Sequence, residues 1–213
     1  MLKVGLTGSI SVGKSYVIEI FRELGVFVLD ADQTAREVVA SDTKGLKAII
    51  ENFGAEVLQP NGELDRIKLG AEIFADEAKR QLLNSIVHPL VIEKQNDWLR
   101  AREAENPDGI SIIDAALMIE SGGYRRFDKL IVVWCDSATQ LQRLVSRNNL
   151  SEQEALKRIN AQMSQEEKKR YADFLIDTTH GFESARRQTV EVFEQLKLFI
   201  GKIQENEITN SHS

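Results

Sequence analysis

The sequence predicts an α/β protein of the P-loop NTPase type, with a doubly wound, mostly parallel five-stranded sheet, an inserted helical substrate lobe and a helical lid. Two observations carry that expectation. Five short runs rich in Val, Ile and Leu stand apart from longer stretches with helical periodicity: Leu2–Leu6, Val26–Leu29, Ile110–Ile113, Leu130–Cys135 and Phe174–Ile176. Apolar runs of this length, alternating with helices, are the mark of buried parallel strands. The second observation is a glycine-rich loop, Gly8-Ser9-Ile10-Ser11-Val12-Gly13-Lys14-Ser15, directly after the first run.

Between the second and third runs, residues 38–106 exceed what one crossover helix requires, so a helical lobe is expected there. Pro60-Asn61-Gly62 marks a turn inside that lobe, and Asn106-Pro107-Asp108-Gly109 marks one just before the third run. Residues 205–213 are polar and without periodicity, which predicts a frayed tail.

The chain's 213 residues suffice for one substantial core with insertions. A formal net charge of −6, spread along the chain, argues against a protein whose main task is gripping a nucleic-acid backbone. Cys135 is the sole cysteine, so no internal disulfide forms, and its apolar surroundings predict a buried thiol. The first run follows Met1 with no charged leader or signal core, and the longest apolar run is far shorter than the roughly 20 residues of a membrane helix. A cytoplasmic location without a membrane anchor is the expectation.

The loop fits G-x4-G-K-[ST] and sits between a strand and an amphipathic helix starting near Lys14. That is where the pattern has a mechanism. Main-chain N–H groups surround phosphates, the helix presents its positive dipole end, Lys14 follows the β- and γ-phosphates, and the Ser15 hydroxyl is the expected Mg²⁺ ligand. A magnesium nucleotide is the predicted ligand.

Asp30-Ala31-Asp32 closes the second run. Strand alternation would put both carboxylates on one side, one to deprotonate or orient an acceptor hydroxyl and the other to hold magnesium waters. The alternative is that they cap a helix starting near Gln33. Arg36, four residues after Asp32, is open between pairing with that carboxylate as a surface ion pair, meeting a substrate phosphate, or both. His88 precedes Pro89, which should break or kink a helix, and its role is open between structural and functional. Arg143 and Arg147 share one face of a segment helical from about Ala138. With Arg158 they form either a flap over a transferring phosphate or a solvated, salt-bridged helix. Lys168-Lys169-Arg170 reads as a solvated helix end.

In this order the residues resemble the dephospho-CoA kinase family nearly end to end. Gly5-Leu6-Thr7-Gly8 leading into Gly13-Lys14-Ser15 is similar to its phosphate loop, and Asp30-Ala31-Asp32 with Arg36 to its acceptor motif. Leu83-Asn84 with His88-Pro89 is similar to its inserted lobe, and Leu117 to Glu120 to the segment after its third strand. Arg143, Arg147, Arg158, Ile159 and Gln162 are similar to its lid, and Ala172-Asp173 through Ile176-Asp177 to its last strand.

The resemblance implies phosphorylation of the 3′-hydroxyl of the dephospho-CoA ribose, with Asp32 as base and Lys14 and Arg143 stabilising the transferred group. It implies nucleotide contacts from Gly8, Ser11, Val12, Gly13, Lys14, Ser15, Tyr16 and Arg147, acceptor contacts from Asp30, Arg36 and His88, and Ser15 on the metal. Further metal ligands are open between Asp30 and Asp114. ATP, Mg²⁺ and dephospho-CoA are the expected small molecules, with no nucleic-acid or membrane partner and a chain acting as a monomer or weak homo-oligomer. The organisation implied is one kinase domain over 1–204: a core of 1–40 and 107–204, a lobe of about 41–106 and a lid of about 140–165.

Ser9, Ser11 and Val12 stand where that family commonly has Gly, Gly and Ser, and Ala116 where it often has Pro. If Ser11 needs a positive φ, a residue with a Cβ costs about 1 kcal/mol there. An extra residue around Thr178-Thr179-His180-Gly181 bears on the adenine pocket. Two rivals share the loop: a kinase for another small hydroxyl acceptor, and a guanine-nucleotide switch. The second requires Asn-Lys-x-Asp for guanine recognition, which this chain does not contain.

Overall fold

The computed structural model describes residues 1–210, with the side chains of Ala75 and of residues 202–210 left aside. Five strands, β1 (Leu2–Gly8), β2 (Phe27–Asp30), β3 (Ile110–Asp114), β4 (Lys129–Trp134) and β5 (Phe174–Asp177), form one sheet in the order β2-β3-β1-β4-β5. The helices are α1 (Lys14–Glu23), α2 (Ala31–Glu37), α3 (Lys44–Phe53), α4 (Arg66–Ala75), α5 (Glu77–Glu105), α6 (Ser137–Asn148), α7 (Glu152–Asn160), α8 (Gln165–Lys169) and α9 (Gly181–Asn210).

β1 runs parallel to both β3 and β4, with Val4 opposite Ile112 and Lys129, and β4 runs parallel to β5 with Val133 opposite Ile176. β1 sits at the centre because almost nothing in it needs water: all its residues but Lys3 are buried. The chain leaves β1 toward one edge of the sheet and leaves β4 toward the other, so the strand order reverses between them. Parallel α/β sheets bind ligands at the carboxyl ends of the strands at such a reversal.

The chain divides into two compact units, residues 1–29 with 102–213, and residues 30–101. The lobe expected from the sequence covers about 41–106. In the first unit, Leu6, Val17, Phe21, Ile131, Val133, Ile176 and Leu196 form a core between the sheet, α1 and α9. In the second, Val39, Leu46, Ile49, Phe53, Val57, Leu64 and Leu69 form a separate core. Each such side chain contributes about 1.5–3 kcal/mol through removal from water.

The structure bears on three local expectations. α5 continues through Pro89, because a proline removes one main-chain donor while the turns on either side keep theirs. α9 is helical through Asn210, and residues 211–213 of the tail expected from 205 lie outside the described residues. Asp32 is not on a strand: β2 ends at Asp30, and Asp32 occupies the first turn of α2. Among the described residues no helix is long and apolar enough to cross a membrane.

Candidate active site

The loop from Gly8 to Gly13 joins β1 to the N-terminus of α1. Its shape depends on two glycines. A Cβ on Gly8 would lie 2.6 Å from the carbonyl oxygen of Val133, so β4 admits only glycine at that crossing. Gly13 has φ 85° and precedes α1 without a side-chain cap, leaving the first N–H groups of the helix for an anion. Ser11 also has a positive φ, 61°, without the freedom of glycine. The hydroxyls of Ser9 and Ser11 are buried with no hydrogen-bond partner. Main chain and side chains here are arranged at a cost to stability, as at many binding sites.

Lys14 opens α1, and its ammonium pairs with the carboxylate of Asp114 at the end of β3. Ser15, the next residue, is exposed. These oxygen donors, one hydroxyl and one carboxylate beside the N-terminus of α1, are of the kind that suits a hard cation completed by water.

Behind the loop, Thr178 just beyond β5 is a junction. Its hydroxyl donates to the Val12 carbonyl at 2.6 Å and accepts from Arg143 Nη1 at 2.8 Å, while Arg143 Nη2 donates to the Thr178 carbonyl at 2.7 Å. Arg143 thus braces the loop through Thr178. It also lines, with Ser11, Gly13, Tyr16, Arg147 and Phe182, a cavity of about 510 Å³. Tyr16 and Phe182 meet edge to face at its wall, their ring centres 4.7 Å apart, and Phe182 is 72 % exposed. Aromatic faces, two arginines and a bare helix N-terminus are groups whose chemistry can take a base joined to phosphates.

α6, which carries both arginines, is capped by Asp136. Hydrogen bonds from the Thr139 side chain and main chain hold that carboxyl below the usual range. α7 and α8 start in capping boxes, Ser151 with Glu154 and Ser164 with Glu167, and those bonds lower both glutamate pKa values. Arg158 is exposed on α7 and is not among the residues lining the cavity.

Lys168 corrects the expectation of a solvated helix end. It is fully buried, its ammonium donating to the Ala116 carbonyl at 2.7 Å and pairing with Glu120 at 2.9 Å. Glu120 also accepts the Met163 N–H at 3.3 Å. The pair fastens the segment after β3, which begins beside Asp114, to α8.

The second unit carries Asp30, Asp32, Arg36 and His88. Asp30 caps α2, its carboxylate accepting from the N–H groups of Asp32 and Gln33 at 2.8 and 3.0 Å. The capping reading therefore holds for Asp30 and leaves the Asp32 carboxylate exposed. No ion pair joins Asp32 to Arg36 among the described residues. Arg36 instead lines a groove with Ser41, Gln59 and Arg66, and Arg66 donates to its carbonyl at 3.3 Å. His88 is exposed on α5.

A family model described as dephospho-CoA kinase matches residues 2–183. A dephospho-CoA kinase of Listeria monocytogenes is 43% identical over 189 residues, spanning 88% of this chain and 93% of the relative. One of Bacillus cereus is 48% identical over 176 residues, spanning 82% and 86%. The solved structure of dephospho-CoA kinase from Campylobacter jejuni superposes with a TM-score of 0.70 at 28% identity, covering 92% of this chain and 96% of that one.

Proposed function

The chain belongs to the dephospho-CoA kinase family, and we propose that it transfers the γ-phosphate of Mg-ATP to the 3′-hydroxyl of the dephospho-CoA ribose, giving coenzyme A and ADP. The observation that carries this reading is the Gly8–Ser15 loop opening onto the cavity of Tyr16, Arg147 and Phe182.

In this reading the triphosphate lies along the loop N–H groups and the base against Phe182 and Arg147. Lys14 exchanges the Asp114 carboxylate for the β- and γ-phosphates. Asp32 takes the proton of the acceptor hydroxyl as its oxygen bonds to the γ-phosphorus, and the bond from that phosphorus to the β,γ-bridging oxygen breaks, its electron pair leaving with ADP. Asp32 suits the role because Asp30 answers the helix N-terminus in its place. Arg36, Arg66 and His88 serve the acceptor from the second unit.

Ser15, with Asp114, would hold Mg²⁺, which when bound neutralises charge between the β- and γ-phosphates. Arg143 serves mainly by bracing Thr178 and the loop, with Arg147 nearer the nucleotide. We place the reaction in the cytoplasm, carried out by a monomer or weak homo-oligomer.

Exchange of acceptors tests the reading. ADP release from Mg-ATP is expected to require dephospho-CoA. Equal release with an unrelated hydroxyl acceptor, or none with dephospho-CoA from a folded protein that binds ATP, would contradict it.

A further inference from the structure

Ile10 stands in the middle of the phosphate loop, and glutamine side chains hold both polar groups of its main chain. Its N–H donates to Gln162 Oε1 at 2.9 Å, and its carbonyl accepts from Gln140 Nε2 at 2.8 Å. Gln140, on α6, is 2 % exposed, and its own Oε1 accepts from Gln165 Nε2 at 2.8 Å. Gln165 Oε1 in turn accepts the Cys135 N–H at 3.0 Å.

A main-chain N–H can only donate, so it fixes which end of the Gln165 amide faces Cys135. That choice fixes the Gln140 amide, which delivers a donor to Ile10 and not an acceptor. The relay therefore carries a definite polarity from the end of β4 to the loop. Gln162, in the turn after α7, completes the clamp from the other side.

The clamp bears on the phosphates through the next residue. Ser11 is held at φ 61°, a conformation that residues with a Cβ disfavour. The Ser9–Ile10 peptide is held at its N–H and the Ile10–Ser11 peptide at its carbonyl, so neither plane rotates without breaking a hydrogen bond, and the Ser11 N–H keeps its direction.

We propose that Gln162 is a positioning residue for the nucleotide's phosphates, holding the loop at Ile10 and tying its shape to the turn after α7. This inference rests on the reading of the loop and its cavity as the ATP site. Gln162 is only partly buried, so it can be changed without opening the core.

Gln162→Met retains side-chain length and removes the acceptor, and Gln162→Ala run beside it guards against a misfit of the methionine. Calorimetric titration with ATP and with adenosine separates the phosphates from the base. ATP affinity is expected to fall about fivefold in both variants, as loss of one hydrogen bond predicts, while adenosine affinity stays that of the wild type. The KM for ATP should rise by the same factor, with kcat and the KM for dephospho-CoA unchanged. Unchanged ATP affinity, or an equal loss for ATP and adenosine, would overturn the assignment while leaving the ATP site intact. A wild type that bound neither ligand would overturn the ATP reading and this one with it.

Discussion

Lys14, the first residue of α1, forms an ion pair with Asp114, the last residue of β3. The register of β1 beside β3, which sets Leu6 opposite Asp114, brings the carboxylate level with the start of the phosphate loop. Asp114 is 7 % exposed, so its charge needs a cation close by. On the proposed role of Lys14 toward the transferring phosphate, Lys14→Met is expected to lower kcat/KM by about a hundredfold or more. Asp114→Asn is expected to leave ATP binding largely intact and to raise the magnesium concentration needed for half-maximal turnover. A wild-type magnesium dependence in that variant would remove Asp114 from the metal site.

Ser11 carries a backbone strain that glycine would not. Ser11→Gly is expected to raise the unfolding free energy in urea by about 1 kcal/mol, the cost of a left-handed residue with a Cβ. Its buried, unpartnered hydroxyl adds in the same direction. A loss of stability in the glycine variant would mean that φ at this position is not a strain.

The two members of the Lys168–Glu120 pair differ in burial, since Lys168 is fully buried and the Glu120 side chain is 23% exposed. Removing the partner of the more buried charge is the worse change. Glu120→Ala is therefore expected to destabilise by about 3 kcal/mol and Lys168→Met by about 1–2 kcal/mol. Denaturation midpoints in the reverse order would contradict the burial argument.

Cys135 is 1 % exposed, and burial pushes its thiol up to about 11, against a smaller opposing pull from Arg143. A raised thiol pKa leaves only about one thiolate in a thousand at pH 8. Alkylation of the native protein by iodoacetamide should be very slow at pH 8 and accelerate with pH up to about 11. Prompt labelling at pH 8 would show the thiol to be accessible and ionised.

The central strands β1, β3 and β4 were readable in the sequence because they are buried on both faces, and the edge strands β2 and β5 because their short runs are apolar all the same. Each apolar run lies within one or two residues of a strand of the structure, from Leu2–Gly8 to Phe174–Asp177. The phosphate loop was readable because its residues are contiguous and its chemistry is local. What escaped depended on distant partners. Lys168 resembles a surface lysine until the segment after β3 supplies Glu120 and the Ala116 carbonyl. Thr178 has no local signal: its role comes from Val12 and Arg143, far away in the chain. The two carboxylates after the second run were placed on one strand face because the helix start was set near Gln33. The structure starts α2 at Ala31, which separates a capping Asp30 from an exposed Asp32.

The account stands most directly on one measurement, the rate of coenzyme A formation from Mg-ATP and dephospho-CoA, followed by product mass, for the wild type and Asp32→Asn in parallel. The wild type is expected to give a product heavier by one phosphoryl group, and the variant a rate lower by about a hundredfold or more with ATP affinity retained. A wild type that released no such product, or a variant as fast as the wild type, would contradict it.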